Sequence, residues 1–287
     1  MANEYDTMQI ISSAAAAVCA GYVFLHWQNN GLRVTRYVYE SRKIPREFDG
    51  YKILQVSDYH NTRRLKNKII AFSLAEGADI TVITGDLVDC RRTDLSAGLD
   101  LVKALSASTP VYYVSGNHEA RISDYPSFSR DIRNRGGIVL DNTCTPIFRK
   151  GARINLIGMS DPGFYTYHHK GKGKEYRKIF TKNLARISAG VQGLKILLSH
   201  RPEYIECYRQ AGIDLALTGH AHGGQFGIPF TDIGVLVPNQ GFFPPYAAGM
   251  KKLGDTTEII SRGIGNSVFP FRLANRPELV TVELKKI

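Results

Sequence analysis

Short apolar runs that end in a polar residue, separated by segments with helical spacing, constrain the fold of this chain most. From about residue 50, β-rich runs such as "YKILQVSD", "DITVITGD" and "IDLALTGH" alternate with helix-like segments such as "KNKIIAFSLAEGA" and "LSAGLDLVKALSAS". The helix-like segments have apolar spacing typical of a buried face, and the first has a glycine near its end. Alternating strands and helices predict an α/β architecture with much parallel sheet.

Almost every apolar run ends in aspartate, histidine or asparagine. In open α/β sheets, ligands bind in the crevice beyond the carboxyl ends of the strands, so side chains distant in sequence are expected to meet at one rim. Each motif alone is weak, but five in this order, each after a predicted strand, indicate a shared site. The motifs are Asp58-Tyr-His60, Gly85-Asp86-Leu-Val-Asp89, Gly116-Asn117-His118-Glu119, Ser199-His200 and Gly219-His220-Ala-His222.

This ordered set resembles the calcineurin-like metallophosphoesterases, whose pattern runs DxH, GDxxD, GNH[DE], H and GHxH. The resemblance covers residues 50–287, and "GHAHGGQ" with "SRGIGNSVFPFRLANRPEL" is most similar to a bacterial branch with an N-terminal signal or membrane anchor. Some relatives in the wider family cleave UDP-diacylglucosamine, a lipid A precursor. The resemblance implies a four-layer αββα sandwich of two mixed sheets flanked by helices. It also implies a dimetal site at the C-terminal ends of the strands.

The resemblance further implies a role for each matching residue. One metal ion would be held by Asp58, His60, Asp86 and His222. The second would be held by Asp86, Asn117, His200 and His220, so that Asp86 bridges the two ions. His118 would be the catalytic acid that protonates the leaving group. Asp89 would orient a ligand from outside the ligand set, and Glu119 stands where many relatives have aspartate.

The residue types suit this chemistry. Carboxylate, imidazole and amide ligands without a thiolate favour two divalent ions such as manganese, iron, zinc or cobalt, and we favour manganese. Two such ions about 3.5–4 Å apart clamp the attacking and leaving oxygens and turn bound water into hydroxide near neutral pH. The leaving oxygen still benefits from a proton, and His118 is the natural donor. The glycines around His220 and His222 would let the backbone approach the ions closely.

The segment from Gly163 to Lys182, "GFYTYHHKGKGKEYRKIFTK", interrupts the alternation of strands and helices. One interpretation is a solvated loop that leads into an ordinary surface helix. The other is a substrate-binding flap whose basic side chains meet an anionic group. Those side chains are Lys170, Lys172, Lys174 and Arg177.

The N-terminal segment from Met8 to Trp27 carries no acidic or basic side chain apart from His26. At about 1.5 Å per residue, about 20 residues just span a hydrocarbon core of about 30 Å. A cleaved signal peptide fits less well, because the preceding residues include Glu4 and Asp6 and no lysine or arginine. A buried or peripheral helix also remains open.

We therefore predict three parts of the chain: a membrane anchor or signal-like segment (1–30), a basic juxtamembrane linker (31–48) and the metallophosphoesterase domain (49–287). Basic residues lie just after the apolar segment, whereas its short N-terminal side is acidic. By the positive-inside rule, we predict a single-pass cell-membrane protein with a cytoplasmic catalytic domain.

The net charge of +11 favours anionic partners, such as phosphorylated compounds, nucleic acid or an anionic membrane. The function predicted is dimetal-dependent hydrolysis of a phosphodiester or pyrophosphate, with a lipid-linked or membrane-proximal substrate as one option. Two alternatives are a non-catalytic, membrane-tethered module that binds phosphate or metal, and a nuclease. The nuclease is less favoured because most basic residues are scattered and no nucleic-acid-binding motif is present. The four cysteines are widely spread, which argues against a zinc ribbon or a disulfide scaffold.

Overall fold

The structure is a computed structural model. It describes residues 2–166, 173–229, 231–237, 240–266 and 269–287. Within these ranges the chain forms two six-stranded sheets and one two-stranded ribbon. In chain order the strands are β1 (Arg33–Ser41), β2 (Lys52–Val56), β3 (Ile80–Thr84), β4 (Val111–Val114), β5 (Gly137–Val139), β6 (Thr143–Arg149), β7 (Ala152–Gly158), β8 (Lys195–Leu198), β9 (Leu215–Thr218), β10 (Leu236–Val237), β11 (Gly241–Phe242), β12 (Gly249–Leu253), β13 (Thr256–Ile260) and β14 (Glu278–Lys286).

Both large sheets are mixed, with a parallel centre. The first has the order β1-β14-β2-β3-β4-β5, in which β14 runs antiparallel to β2 and the remaining neighbours are parallel. The second has the order β12-β13-β9-β8-β7-β6, with antiparallel pairs at its two edges only. The parallel strands β2, β3, β4, β7, β8 and β9 include most of the apolar runs recognised in the sequence.

The described residues form seven α-helices, most of which cover the outer faces of the two sheets. They are α1 (Ala2–Asn30), α2 (Lys66–Glu76), α3 (Leu95–Ser106), α4 (Tyr125–Asn134), α5 (Gly163–Thr166), α6 (Gly173–Ser188) and α7 (Ile205–Gln210). Local sequence sets their ends. Asp94 caps α3 by accepting a hydrogen bond from the Ala97 N–H, and Gly77 ends α2 in a left-handed conformation with φ of 60°.

Three clusters of apolar contacts form most of the core, beside a small fourth cluster around Ala221 and Ile260. One cluster lies between the two sheets and joins side chains of β2 and β3 to those of β7, β8 and β9. A second cluster packs α2, α3 and α4 on the first sheet, and a third packs α6 and α7 on the second sheet. Two sheets face to face with helices outside are the four-layer αββα sandwich that the sequence predicts, and the prediction is confirmed.

The segment predicted as a juxtamembrane linker, residues 31–48, is folded. Its residues Arg33–Ser41 form β1, which pairs in parallel with β14 along its whole length, and Phe48 is fully buried. The density of basic residues suggested a solvated linker, but a strand at a sheet edge exposes one row of side chains and accommodates such charges. The folded part of the chain that contains the two sheets therefore begins almost directly after α1.

Helix α1 contrasts with the other helices because the described side chains along most of its length are exposed. Its part from Met8 to Asn30 is long and apolar enough to cross a membrane. In the most apolar stretch of this part, no residue is buried against the rest of the chain. Its last turn does contact the domain, where Gln28 is buried. Helix α1 therefore differs from the other helices in leaving its apolar side chains outside the protein core.

Candidate metal centre

The carboxyl ends of parallel strands from both sheets meet at one rim, and the strand-end motifs lie there. In the first sheet, β2, β3 and β4 lead into Asp58, Asp86 and Asn117. In the second, β8 and β9 lead into His200 and His220. All seven predicted ligands are buried. Residues that are more than 160 positions apart therefore share one crevice.

One cluster consists of Asp58, His60, Asp86 and His222, whose candidate ligand atoms all lie within 4.8 Å of one another. Nε2 of His222 is 3.3 Å from Oδ1 of Asp58 and 3.2 Å from Nε2 of His60. Nε2 of His60 is 3.5 Å from Oδ2 of Asp86. Two imidazole nitrogens that face each other beside two carboxylates need a proton or a cation between them.

A second cluster consists of Asp86, His200 and His220, with the same limit of 4.8 Å. Nε2 of His200 lies 3.2 Å from Oδ2 of Asp86 and 3.2 Å from Oδ1 of Asn117. Nδ1 of His200 is 2.8 Å from the carbonyl oxygen of Thr84, which can only accept, so Nδ1 carries a hydrogen. Nε2 therefore faces two oxygen acceptors and needs a cation or a second proton. Asp86 belongs to both clusters.

The residues fit a pair of divalent metal ions. Bonds of about 2.0–2.2 Å place neighbouring ligand atoms about 3.0 Å apart in an octahedron and about 3.4 Å apart in a tetrahedron. The contacts between 3.2 and 3.5 Å in the two clusters have this spacing. Within the described parts of the chain, the clustered ligand atoms come from carboxylates and imidazoles, which suit borderline divalent ions.

Electrostatics set His200 apart from the other three clustered histidines, and burial holds the pKa of His220 well below its usual value. Burial lowers the pKa of His60 and of His222 to about 3, which keeps both rings neutral and able to coordinate. Burial also opposes the charged form of His200, but the neighbouring Asp86 carboxylate outweighs it and raises the pKa of His200 to about 10. A negative field that holds a proton on a buried imidazole holds a divalent cation more strongly.

The backbone at these positions is strained. Five of the clustered residues have φ between 44° and 65°, a region that side chains rarely adopt: Asp58, His60, Asp86, His220 and His222. Such conformations cost about 1–3 kcal/mol each and persist where the surrounding structure imposes them. The backbone at Gly219 is also closely surrounded, because a Cβ atom there would collide with the Ser57 and Asp58 side chains. The concentration of strained residues at this rim indicates that the backbone there is shaped to position the predicted ligand side chains.

Glu119 joins the loops that follow β3 and β4. Its carboxylate accepts hydrogen bonds from the N–H groups of Asp86 at 2.9 Å, Val88 at 3.0 Å and Gly116 at 2.7 Å. Burial raises the pKa of Glu119 to about 7. Its contacts are with backbone groups, so Glu119 fixes the position of Asp86 through the main chain.

His118 lies at the edge of the clusters, with Nε2 3.9 Å from Oδ2 of Asp86. The Cys90 N–H donates to its Nδ1 at 3.1 Å, which places the hydrogen of the neutral ring on Nε2, the nitrogen nearer Asp86. Asp89 lies 3.3 Å from Nδ1 and stabilises the charged ring. Burial opposes that form, yet Asp86 and Asp89 together raise the pKa of His118. That Asp89 orients a metal ligand stays a prediction; its carboxylate lies beside His118 and within 4.8 Å of a ring nitrogen of the predicted ligand His60.

Two arginines next to the clusters were missed by sequence reasoning. Arg201 forms a two-point ion pair with Asp161 at 2.6 and 3.0 Å, and its Nη1 lies 3.0 Å from Nε2 of His220. Arg272 is fully buried, and its Nη2 lies 3.2 Å from Nδ1 of His222. Arg201 directly follows the predicted ligand His200, and this position could have identified it from the sequence. A buried arginine in the irregular segment around Arg272 has no periodic signature.

The predicted substrate flap is described only in part. Lys170 and Lys172 lie outside the described residues, and the side chain of Lys174 is likewise not described. Arg177 lies on α6, where it donates to the Glu203 carbonyl at 2.7 Å and stacks 4.9 Å from the Tyr204 ring centre. These contacts join α6 to the segment just after Arg201 and do not include the clustered residues.

Comparisons with known proteins agree with this site. The family model for calcineurin-like phosphoesterases matches residues 51–224. The metallophosphoesterase YkuE of Bacillus subtilis is 26% identical over 289 residues, covering 96% of this chain and 93% of the relative. The phosphodiesterase YaeI of Escherichia coli is 25% identical over 289 residues, covering 95% and 96%.

Among solved structures, TT1561 of Thermus thermophilus has a TM-score of 0.51 at 14% sequence identity, covering 75% of this chain and 90% of that one. At this level of identity the likeness concerns the fold. The family model, in contrast, spans every strand-end motif from Asp58 to His222 and more than half of the chain. The chain therefore belongs to the calcineurin-like phosphoesterase family, and it is a metal-dependent hydrolase of phosphoric esters.

Proposed function

We propose that this protein is a membrane-anchored phosphodiesterase or pyrophosphatase that uses two divalent ions, with manganese as the favoured metal. The observation that carries the proposal is the meeting of ligand atoms from both sheets, with Asp86 in both clusters and His118 beside it. A two-metal centre of this kind acts on phosphoesters by in-line displacement. The phosphodiesterase YaeI, which is similar over nearly its whole length, supports the diester option.

Each residue has a distinct task in this proposal. Asp58, His60 and His222 would hold one ion, Asn117, His200 and His220 would hold the other, and Asp86 could serve both. A bound ion pair would supply charge neutralisation at the phosphate and a water of lowered pKa as nucleophile.

His118 donates the Nε2 proton to the leaving oxygen, and Asp89 stabilises the charged ring before transfer. No serine or cysteine nucleophile is required. Lys170, Lys172, Lys174 and Arg177 remain candidates for binding the anionic substrate.

The N-terminal part of the proposal is a single-pass anchor. Helix α1 has the length and apolar surface for it, and Arg33, Arg36, Arg42, Lys43 and Arg46 follow it. The positive-inside rule favours a cytoplasmic catalytic domain. A substrate at the cytoplasmic membrane surface would then be within reach, which favours a lipid-linked or membrane-proximal phosphoester.

Turnover of bis-p-nitrophenyl phosphate with added manganese tests the catalytic proposal. The purified full chain is compared with the Asp86→Asn and His118→Ala variants, and with Asp255→Asn as the matched control at an exposed turn. We expect activity that a chelator removes, that Asp86→Asn abolishes and that Asp255→Asn preserves. Equal rates in all four proteins would refute it. Metal binding without turnover would favour the non-catalytic module, and cleavage of single-stranded or duplex DNA would favour the nuclease.

A further inference from the structure

The last turn of α1 is bonded to the catalytic domain without an intervening linker. Asn29 exchanges two hydrogen bonds with the backbone of Arg272, from Nδ2 to the carbonyl at 3.2 Å and from the amide to Oδ1 at 2.7 Å. Arg64 donates to Oδ1 of Asn30 at 2.7 Å, and Arg276 stacks 4.5 Å from the Trp27 ring centre. Strand β1 begins only three residues after the helix ends. The domain is therefore held in a fixed orientation to the helix.

This attachment sets the distance between the domain and a bilayer. If the apolar part of α1 spans the hydrocarbon core, Trp27 lies at its boundary, and Asn29 lies only about 3 Å further along the axis at about 1.5 Å per residue. The polar layer on each side of the core is about 5–7 Å thick. Chain segments bonded to Asn29 therefore lie at the depth of the lipid head groups.

The segment bonded to Asn29 exposes large apolar side chains. Phe269, Phe271 and Leu273 flank Arg272 and are 38%, 43% and 40% exposed. Neighbouring loops add Ile233, Phe242 and Phe243, of which Phe242 is the most exposed at 73%. We call these six residues the aromatic rim.

Backbone and ring contacts hold the segments that carry the aromatic rim next to one another. The Gly227 N–H donates to the Leu273 carbonyl at 2.9 Å, and the Phe226 ring packs on Phe269 and Phe271. The Val235 N–H donates to the Phe226 carbonyl at 2.8 Å, and the Phe243 N–H donates to the Val235 carbonyl at 2.9 Å. Contiguous exposed apolar patches of this kind mark interaction surfaces.

We infer that the aromatic rim contacts the same bilayer that α1 crosses, and that it inserts its side chains at the level of the head groups and upper acyl chains. Amphipathic aromatic surfaces with nearby basic residues bind at this depth. Arg64, Lys68 and Arg276 contact the end of α1 and supply the positive charge that anionic head groups attract. The inference rests on the anchor in the proposed function, but not on catalysis.

The same segment connects the rim to the metal centre. Arg272, between Phe271 and Leu273, contacts His222, and Gln225 donates to the carbonyls of Phe269 and Phe271 at 3.1 and 3.0 Å. The ligand turn thus lies directly behind the membrane-contacting surface. A phosphoester carried in the head-group layer is the substrate class that this placement serves.

Tryptophan quenching by brominated lipid tests the inference, because the chain contains a single tryptophan, Trp27. The full chain is reconstituted in vesicles whose phosphatidylcholine is brominated near the head-group end of the acyl chains. In a Trp27→Phe background, Phe242→Trp and Phe271→Trp report on the rim. Phe148→Trp, 67% exposed on β6 at the edge of the second sheet, is the control. Thermal unfolding verifies that each variant is folded.

We expect quenching in the Phe242→Trp and Phe271→Trp proteins to exceed that in the Phe148→Trp protein by at least about twofold. Quenching of Trp27 in the wild-type chain together with equal quenching at all three introduced positions would overturn the inference while leaving the anchor intact. Absence of Trp27 quenching would overturn both. Hydrolysis of bis-p-nitrophenyl phosphate in detergent is measured separately, so a failure of the catalytic proposal is distinguished from a failure of this one.

Discussion

The two halves of the candidate metal centre are built alike but supported differently. Each contains one histidine of the His220 to His222 turn, and each of these histidines is contacted by an arginine. Arg201, beside His220, is neutralised by a two-point ion pair with Asp161. Arg272, beside His222, instead donates to the Arg262 carbonyl and to Oδ1 of Asn266. Burial lowers the pKa of Arg272 to about 10.

The difference shows how each half is assembled. The second half takes its support from the second sheet and the segments next to it, between Asp161 and His220. The first half takes its support from the C-terminal segment around Arg272, which is itself bonded to the end of α1. One half is supported within the sheet that carries its histidines, whereas the other depends on the two ends of the chain. Variants that disturb one half and spare the other test this contrast.

Asp86 is the residue common to both halves, so its loss should affect both ions. We expect Asp86→Asn to lower turnover by about a thousandfold or more, because several kcal/mol of transition-state stabilisation depend on the ions. Metal content, measured by plasma mass spectrometry, should fall at both positions. His200→Ala should weaken binding of the ion in its own cluster more than binding of the other ion. His222→Ala should do the same in the cluster that contains His222. A variant of Asp86 that retains two ions per chain would contradict the shared role.

His118 belongs to neither half, so its loss should leave metal content unchanged. We expect His118→Asn to lower turnover about 100-fold or more with an alkyl leaving group, because the alkoxide needs the proton. The loss should be smaller with p-nitrophenolate, which is stable without protonation. Rates against leaving-group basicity, measured for wild type and variant, test this difference. Parallel plots would exclude His118 as the acid.

The two arginines should separate stability from metal affinity. Arg201→Met leaves Asp161 buried without its partner, and we expect the free energy of unfolding to fall by about 3–5 kcal/mol. Arg272→Met removes a buried positive charge that does not form a two-point ion pair with a carboxylate. We expect the free energy of unfolding to fall by a smaller amount, about 1–3 kcal/mol. Each should weaken metal binding about 10–100-fold, in opposite halves. Urea unfolding and metal titration measure the two effects.

A double variant provides the control for the arginines. Adding Asp161→Asn to Arg201→Met removes the unpaired carboxylate and should recover part of the lost stability. The same addition to Arg272→Met should recover nothing, because Asp161 is bonded to the other arginine. Recovery in both backgrounds would show that the two halves are not independently supported.

The smallest effect concerns the connection between α1 and the first half. Asn29→Ala removes the two hydrogen bonds to the Arg272 backbone, worth about 0.5–1.5 kcal/mol each. We expect a few-fold weaker affinity at the ion beside His222 and an unchanged affinity at the ion beside His220. Titration of the metal-free protein with manganese measures both. An equal change in manganese affinity at the two ions would show that α1 does not support the half around His222 in particular.

Local sequence patterns were sufficient for much of the fold. The apolar runs before Asp58, Asp86 and His200 form strands, and the segments with helical spacing form α2 and α3. The fold class and the family are confirmed, because both follow from features that neighbouring residues carry. The order of the strand-end motifs also named the residues that the structure brings together at the rim.

Other features depend on contacts between distant parts of the chain. The position of β14 between β1 and β2 has no local signal in the sequence, which predicts a linker at residues 31–48 where the structure has β1. Pairing between the two ends of the chain depends on which edge is available after the other strands have assembled. The contact between Asp89 and His118 likewise depends on how the loops after β3 and β4 approach each other.

Residue order along the chain predicts the alternation of strands and helices, the type and order of the strand-end side chains, and an apolar N-terminal helix. These are properties of residues close together along the chain, where periodicity and turn chemistry act directly. Folding of the whole chain was needed to place Asp86 in both clusters, to bring Arg201 and Arg272 against different histidines, and to bond α1 to the segment behind the candidate metal centre. Those contacts join residues up to 243 positions apart, and their geometry results from packing of the whole chain.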